Sequence, residues 1–166
     1  PINGMSLKTL YISNTGVNNI SVLRGMPLVY LSLSNTIVRD FSPIKGMPLE
    51  YLYLAGCSIR DLSILEGMPL KYLDISGTKV NDLQPLENMD LKYLMIKNIR
   101  VDDLRPISRL PLVYLDCRGI NTDILSALKG MPIEKIYIDN ASSHAVRRLL
   151  RSMPRLRVVN GKLFLR

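Results

Sequence analysis

The sequence predicts a right-handed α/β solenoid, an arc with a parallel β-sheet on its concave face and short 3₁₀ or α turns on its convex face. Three observations carry that prediction. The chain repeats every 21 residues, its apolar residues recur in one pattern inside each unit, and Gly and Pro punctuate the units at a constant place.

The units begin at Gly4, Gly25, Gly46, Gly67, Asn88, Arg109 and Gly130, each 21 residues after the last, and a degenerate eighth at Ser152-Met-Pro is one residue out of phase. A period of this size marks stacked supersecondary units. Each unit carries apolar residues at the first, fourth and sixth places of a six-residue stretch: 7–12, 28–33, 49–54, 70–75, 91–96, 112–117 and 133–138. Read as a strand, that pattern turns the apolar residues inward and the intervening ones outward. One unit cannot bury its own inner face, whereas stacked units share a continuous core. At about 4.8 Å per strand, seven strands span on the order of 30 Å.

The return segment of each unit is also legible. Ser42-Pro43 and Ser63 suit the N-cap and first turn of a short helical segment, where Ser accepts a backbone N–H and Pro sacrifices none. Gly46 and Gly67 suit the left-handed residue that closes such a turn. Pro48 and Pro69 are expected at the first residue of the next strand, where a missing N–H is tolerated. Gly-Met-Pro-Leu is therefore a corner between turn and strand. A phosphate cradle would need several N–H groups converging on a helix start.

These residues resemble the leucine-rich repeat family, whose pattern is LxxLxLxx(N/T/C)xL. The tail of each unit, Val-x-Asp-Leu-x-Pro-Leu in 80–86, looks most like the short bacterial, internalin-type class. The family's Asn column departs here to Thr15, Thr36, Cys57 and Thr78, then Ile99, Ile120 and Ala141. The resemblance implies a protein-binding scaffold, of the kind found at cell surfaces or attached to signalling domains such as kinases.

Residues 1–140 thus form seven repeats, and 141–166 read as a cap of the same domain. Val146, Leu149, Leu150 and Met153 fall on one face of a helix stopped by Pro154. Residues 156–159 and 162–165 flank Asn160-Gly161, a strong hairpin signal. Such a hairpin covers the last parallel edge. Because Pro1 falls partway through a repeat, the chain is expected to be a piece of a longer one.

The net charge of +8 is uneven: residues 141–166 carry seven basic side chains and no acidic one, leaving 15 basic against 14 acidic in 1–140. No nucleic-acid recognition motif or interleaved aromatics accompany that basic end, so it reads as a solvated helix face and a protected edge strand. Nucleic acid and membrane insertion are not expected as partners. The oligomeric state is open, with a monomer favoured. Cys57 and Cys117 lie at inward positions of different units with no metal or redox spacing. Unpaired, they favour a reducing compartment.

The outward positions are where such a sheet meets a partner. The third place of each strand holds Thr9, Tyr30, Tyr51, Tyr72, Tyr93, Tyr114 and Lys135, and the fifth holds Tyr11, Ser32, Tyr53, Asp74, Met95, Asp116 and Tyr137. All eight tyrosines fall in these two columns. Strand propensity and ring contact account for part of that segregation. A contact surface accounts for the rest, because Tyr offers large amphipathic area at low entropic cost. The candidate partner-binding residues are Tyr30, Tyr51, Tyr53, Tyr72, Asp74, Tyr93, Met95, Tyr114 and Asp116, with Met95 expected to be exposed beside Tyr93. Mixed charges around them, such as Lys71, Lys92, Lys97 and Arg118 against Glu50, Glu134 and Asp139, suit a protein or peptide. Carbohydrate is a second class that tyrosines and carboxylates admit.

Asp40, Asp61, Asp82 and Asp103 form a further column. Without a glycine-rich coordinating loop they are expected to cap backbone N–H groups rather than bind Ca²⁺. His144 is the lone histidine and has no nucleophile placed beside it, so no catalytic activity and no cofactor are expected. The resulting reading is a non-catalytic protein-interaction module. Its rivals are the regulatory or targeting arm of a multidomain enzyme, for example a kinase, and a carbohydrate-binding adhesin surface.

Overall fold

The structure, a computed structural model, describes residues 5–165. Gly4, which opens the first repeat, and Arg166 of the basic end lie outside the described residues. Seven strands recur at the repeat period: β1 (Thr9–Tyr11), β2 (Tyr30–Ser32), β3 (Tyr51–Tyr53), β4 (Tyr72–Asp74), β5 (Tyr93–Met95), β6 (Tyr114–Asp116) and β7 (Lys135–Tyr137). A helix α1 (His144–Arg151) follows, then β8 (Val158–Val159) and β9 (Lys162–Leu163). The sheet order is that of the chain, β1 to β9. Pairing is parallel from β1 through β8, and only β8 with β9 is antiparallel. The sheet does not close on itself.

Register follows the repeat without slippage. Thr9 pairs with Tyr30, Tyr30 with Tyr51, Tyr51 with Tyr72, Tyr72 with Tyr93, Tyr93 with Tyr114 and Tyr114 with Lys135. The middle residues Leu31, Leu52, Leu73, Leu94 and Leu115 are fully buried, and so are their inward companions such as Leu28, Leu33, Leu49 and Leu54. One core of Leu, Ile, Val and Met therefore runs the length of the arc. Among the described residues, no helix is long and apolar enough to cross a membrane.

The strands are shorter than the six residues the apolar pattern suggests. Hydrogen bonding nonetheless extends past them on both sides. At each entry one carbonyl accepts two successive N–H groups, as Val29 O does from Glu50 at 2.9 Å and Tyr51 at 3.1 Å. Each such carbonyl is a shared acceptor that carries the ladder one residue beyond the strand while the 21-residue register is kept. At each exit the ladder continues, with Leu33 N donating to Tyr53 O at 2.9 Å and Asn35 N to Ala55 O at 2.8 Å.

A left-handed residue then turns the chain. This column, unnoticed in the sequence reading, is Asn14, Asn35, Gly56, Gly77, Asn98, Gly119 and Asn140, with φ between 51° and 80°. It contains only Asn and Gly, the two residues that tolerate that conformation best. Space matters too: a Cβ at Gly56 would run into the Asn35 carboxamide, and one at Gly119 into that of Asn98. The residues that follow lock the turn. Thr36 Oγ1 donates to Leu33 O at 2.7 Å, Thr78 Oγ1 to Ile75 O at 2.7 Å, and the Cys57 thiol to Leu33 O at 3.1 Å. Hence Thr36, Cys57 and Thr78 are buried hydrogen-bonding groups.

The convex side consists of 3₁₀ turns, such as Ser42–Ile44, Ser63–Leu65 and Gln84–Leu86. Two details differ from expectation. Ser42 and Ser63 open their turns instead of capping them: the preceding Phe41 and Leu62 make no side-chain cap bond. The cap is supplied one position earlier, where Asp40, Asp61, Asp82 and Asp103 each accept a backbone N–H two residues on, all at 2.8 Å. Likewise Pro48 and Pro69 precede their strands instead of opening them, since β3 starts at Tyr51 and β4 at Tyr72. The glycines behave as expected, with Gly46 at φ 71° and Gly67 at φ 70°.

At the C-terminal end α1 starts at a Ser143 cap, whose hydroxyl accepts the Val146 N–H at 3.3 Å, and buries Val146, Leu149 and Leu150. Asn160 then extends the sheet with its side chain. Its Oδ1 accepts the Ile138 N–H and its Nδ2 donates to Ile138 O, both at 2.9 Å.

Candidate interaction face

Strand alternation and register place the two outward columns side by side on the concave face. All eight tyrosines join one chain of ring contacts. In the third-place column the ring centres lie 5.9 Å apart for Tyr30–Tyr51, 6.4 Å for Tyr51–Tyr72, 6.1 Å for Tyr72–Tyr93 and 6.2 Å for Tyr93–Tyr114. Fifth-place tyrosines fill the gaps diagonally, Tyr11–Tyr30 at 4.5 Å, Tyr53–Tyr30 at 5.1 Å, Tyr53–Tyr72 at 4.4 Å and Tyr114–Tyr137 at 5.8 Å. These separations suit favourable aromatic pairing. The ladder is thus a built surface, since each inner ring is held by rings on both sides.

Access varies along it. Tyr11 is 66% exposed, Tyr93 43% and Tyr51 38%, whereas Tyr30, Tyr53, Tyr72 and Tyr114 are half-buried. Burial pushes the Tyr30, Tyr53, Tyr72 and Tyr114 hydroxyls above the usual phenol range, and the Asp116 carboxylate reinforces this at Tyr114. The Tyr11 hydroxyl is raised chiefly by that of Tyr30 beside it.

Two of the nine residues singled out in the sequence lie deeper than expected. Met95 is 9% exposed, not a protruding contact residue, and Asp116 is 5% exposed. Met95 sits between Asp74 and Asp116 in register, and Tyr93 of its own strand is the more exposed of the two. Asp116 is occupied by Arg118, which donates from Nε at 2.9 Å and Nη2 at 2.5 Å. Asp74 is half-buried and its Oδ1 accepts the Ser76 N–H at 2.9 Å. The other six residues, Tyr30, Tyr51, Tyr53, Tyr72, Tyr93 and Tyr114, are brought together.

The structure adds residues at the ends of the ladder. Tyr11 opens it, and Tyr137 closes it under two cations. The Arg118 guanidinium lies 5.0 Å from the Tyr137 ring centre, and Lys135 Nζ lies 5.3 Å from Tyr137 and 5.5 Å from Tyr114. The sequence signal for this was present, because Lys135 replaces Tyr in the third-place column. On the rim, Asp90 stands where five other units have Pro, and it bridges Lys71 and Lys92. Those two lysines hold its carboxyl below the usual range.

Among the described residues, no group of three His, Cys, Asp or Glu side chains is placed to hold a metal ion. His144 lines a cleft of about 600 Å³ between the 3₁₀ turn Thr122–Leu128 and α1, together with Asp123, Lys129 and Arg148. Cys57 and Cys117 are buried and unpaired, and burial pushes the Cys117 thiol far up.

No protein-family model matches the chain, and no curated protein matches it significantly. Solved structures do. Internalin C2 of Listeria monocytogenes superposes with a TM-score of 0.59 at 23% identity, over 92% of this chain and 80% of that one. The fold is the internalin-type leucine-rich-repeat solenoid. An internalin, InlF, of the same organism superposes with a TM-score of 0.57 at 23% identity, over 93% of this chain. This internalin-type solenoid spans 60% of the length of that second structure.

Proposed function

We propose that the chain is a non-catalytic interaction module that binds a protein or peptide on its concave sheet. The observation that carries this reading is the continuous array of all eight tyrosines on that one face. Tyrosine combines apolar area with a hydroxyl and loses little entropy when ordered, which is why it concentrates in contact surfaces. The rim around the array is mixed in sign, from Glu50, Lys71 and Asp90 to Lys97, Arg118 and Asp139. Mixed charge about an aromatic centre suits a protein surface better than a uniformly charged polymer. The internalin-type fold supports the same reading as an architecture that exposes a long curved sheet.

The test is replacement of the two exposed inner tyrosines, Tyr51→Ser with Tyr93→Ser. Partners captured by the wild-type chain should be lost while the thermal transition is retained. Unchanged capture by a folded variant would move the site off the concave face.

A further inference from the structure

We propose that the C-terminal end of the concave face, at Lys135, is a docking point for a carboxylate side chain of the partner. This deepens the concave-face reading and rests on it. Most cations around the second half of the face are already engaged. Lys71 and Lys92 share Asp90, and Arg118 is committed to Asp116. Lys135 is different. It has no ion pair among the described residues, yet its ammonium is held over two rings, 5.5 Å from the centre of Tyr114 and 5.3 Å from that of Tyr137. Ring faces fix a cation in place without neutralising it.

The surroundings keep this charge available. Lys135 is half-buried, so its field is less screened than that of a surface lysine. Arg118 stands over the same Tyr137 ring with its charge balanced by Asp116, which leaves the Lys135 ammonium uncompensated. Of the acids nearby, Asp116 is turned to Arg118, and Asp139 Oδ2 accepts the Gly119 N–H at 2.6 Å. Glu134 belongs to the neighbouring rim column and makes no ion pair among the described residues.

The protein or peptide partner of the proposed function supplies its negative charge as Asp and Glu carboxylates, and the fork of Arg118 is already used on Asp116. What remains is a single ammonium beside a hydroxylated aromatic floor, which matches one Asp or Glu side chain. The face is therefore directional. A partner segment lays apolar and hydrogen-bonding groups over Tyr51 to Tyr93 and an acidic residue over Lys135.

The experiment titrates the folded 166-residue chain with a blocked hexaglutamate peptide and, as control, a blocked hexaglutamine peptide, read by NMR. Saturable shifts are expected at Tyr114, Lys135 and Tyr137 with hexaglutamate alone. Lys135→Met, which keeps the stem over the rings, should weaken that binding about tenfold without changing the thermal transition. A variant with Arg147, Arg148 and Arg151 changed to Gln should leave it unaltered. No saturable shift in the wild type, equal binding by Lys135→Met, or loss in the arginine variant would each overturn the proposal. The outcome is separable from the broader reading, which depends on Tyr51 and Tyr93 and on partner capture.

Discussion

Arg118 grips Asp116 with two charge-assisted hydrogen bonds, 2.9 Å from Nε and 2.5 Å from Nη2, although the two residues are only two positions apart on one strand exit. Asp116 raises the pKa of the Arg118 guanidinium. The pair is asymmetric, with the carboxylate nearly buried and the guanidinium side chain 39% exposed. Arg118→Met should therefore destabilise the fold by about 1–3 kcal/mol, because it leaves the buried carboxylate with only the residue-118 backbone N–H at 3.3 Å. Adding Asp116→Asn to that variant should restore part of the loss, as measured by urea unfolding. Additive losses would show that the pair carries no coupling.

Tyr72 and Tyr93 occupy equivalent positions with different surroundings. Tyr72 contacts Tyr51, Tyr53 and Tyr93, whereas Tyr93 contacts Tyr72 and Tyr114 and is more exposed. Tyr72→Ser should cost about 1 kcal/mol more than Tyr93→Ser, from one further ring pair and greater burial. Denaturant midpoints at a common slope measure the difference.

The left-handed column predicts a ranking of glycine substitutions. Gly119→Ala meets both the strain of φ 80° and the backbone of Asn98 at 3.1 Å, whereas Gly77 has φ 65° and open space. Gly77→Ala should cost about 1 kcal/mol and Gly119→Ala more. Equal thermal midpoints for the two variants would refute the ranking.

The convex aspartates predict an acid response. Backbone N–H groups hold the carboxyls of Asp40, Asp61 and Asp103 below the usual range, with Arg105 adding to the effect at Asp103. A carboxyl whose pKa is depressed by folding contributes stability above its unfolded pKa and loses it as pH falls through the folded value. Thermal stability should accordingly decline below the ordinary carboxylate range. The triple change of these residues to Asn keeps an acceptor at each site and should flatten that decline.

Much of the fold was legible because the repeat never slips between Gly4 and Gly130. The left-handed column was equally periodic but concealed by its alternation of Asn with Gly. The acceptors that cap these turns lie two residues before Ser42 and Ser63, because Asp and Ser are both good acceptors and only the backbone path decides which is reached. Asp90 stands at the Pro position of the Gly-Met-Pro-Leu corner, a change with no sequence signal of its own. Its meaning came from Lys71 and Lys92, which belong to two different units.

By itself the sequence determined which residues share a column. A constant period converts position in the repeat directly into place on the sheet, so Tyr30 through Tyr114 had to align. Tertiary structure decided which members of a column a partner can touch. Met95 and Asp116 occupy outward positions by the same arithmetic as Tyr53, yet both are buried, Asp116 against the guanidinium of Arg118 two residues on. Direction along a strand is a local property of the backbone. Accessibility depends on the sizes and charges of the side chains around a residue, from its own unit and from adjacent ones, and those meet only in the folded stack.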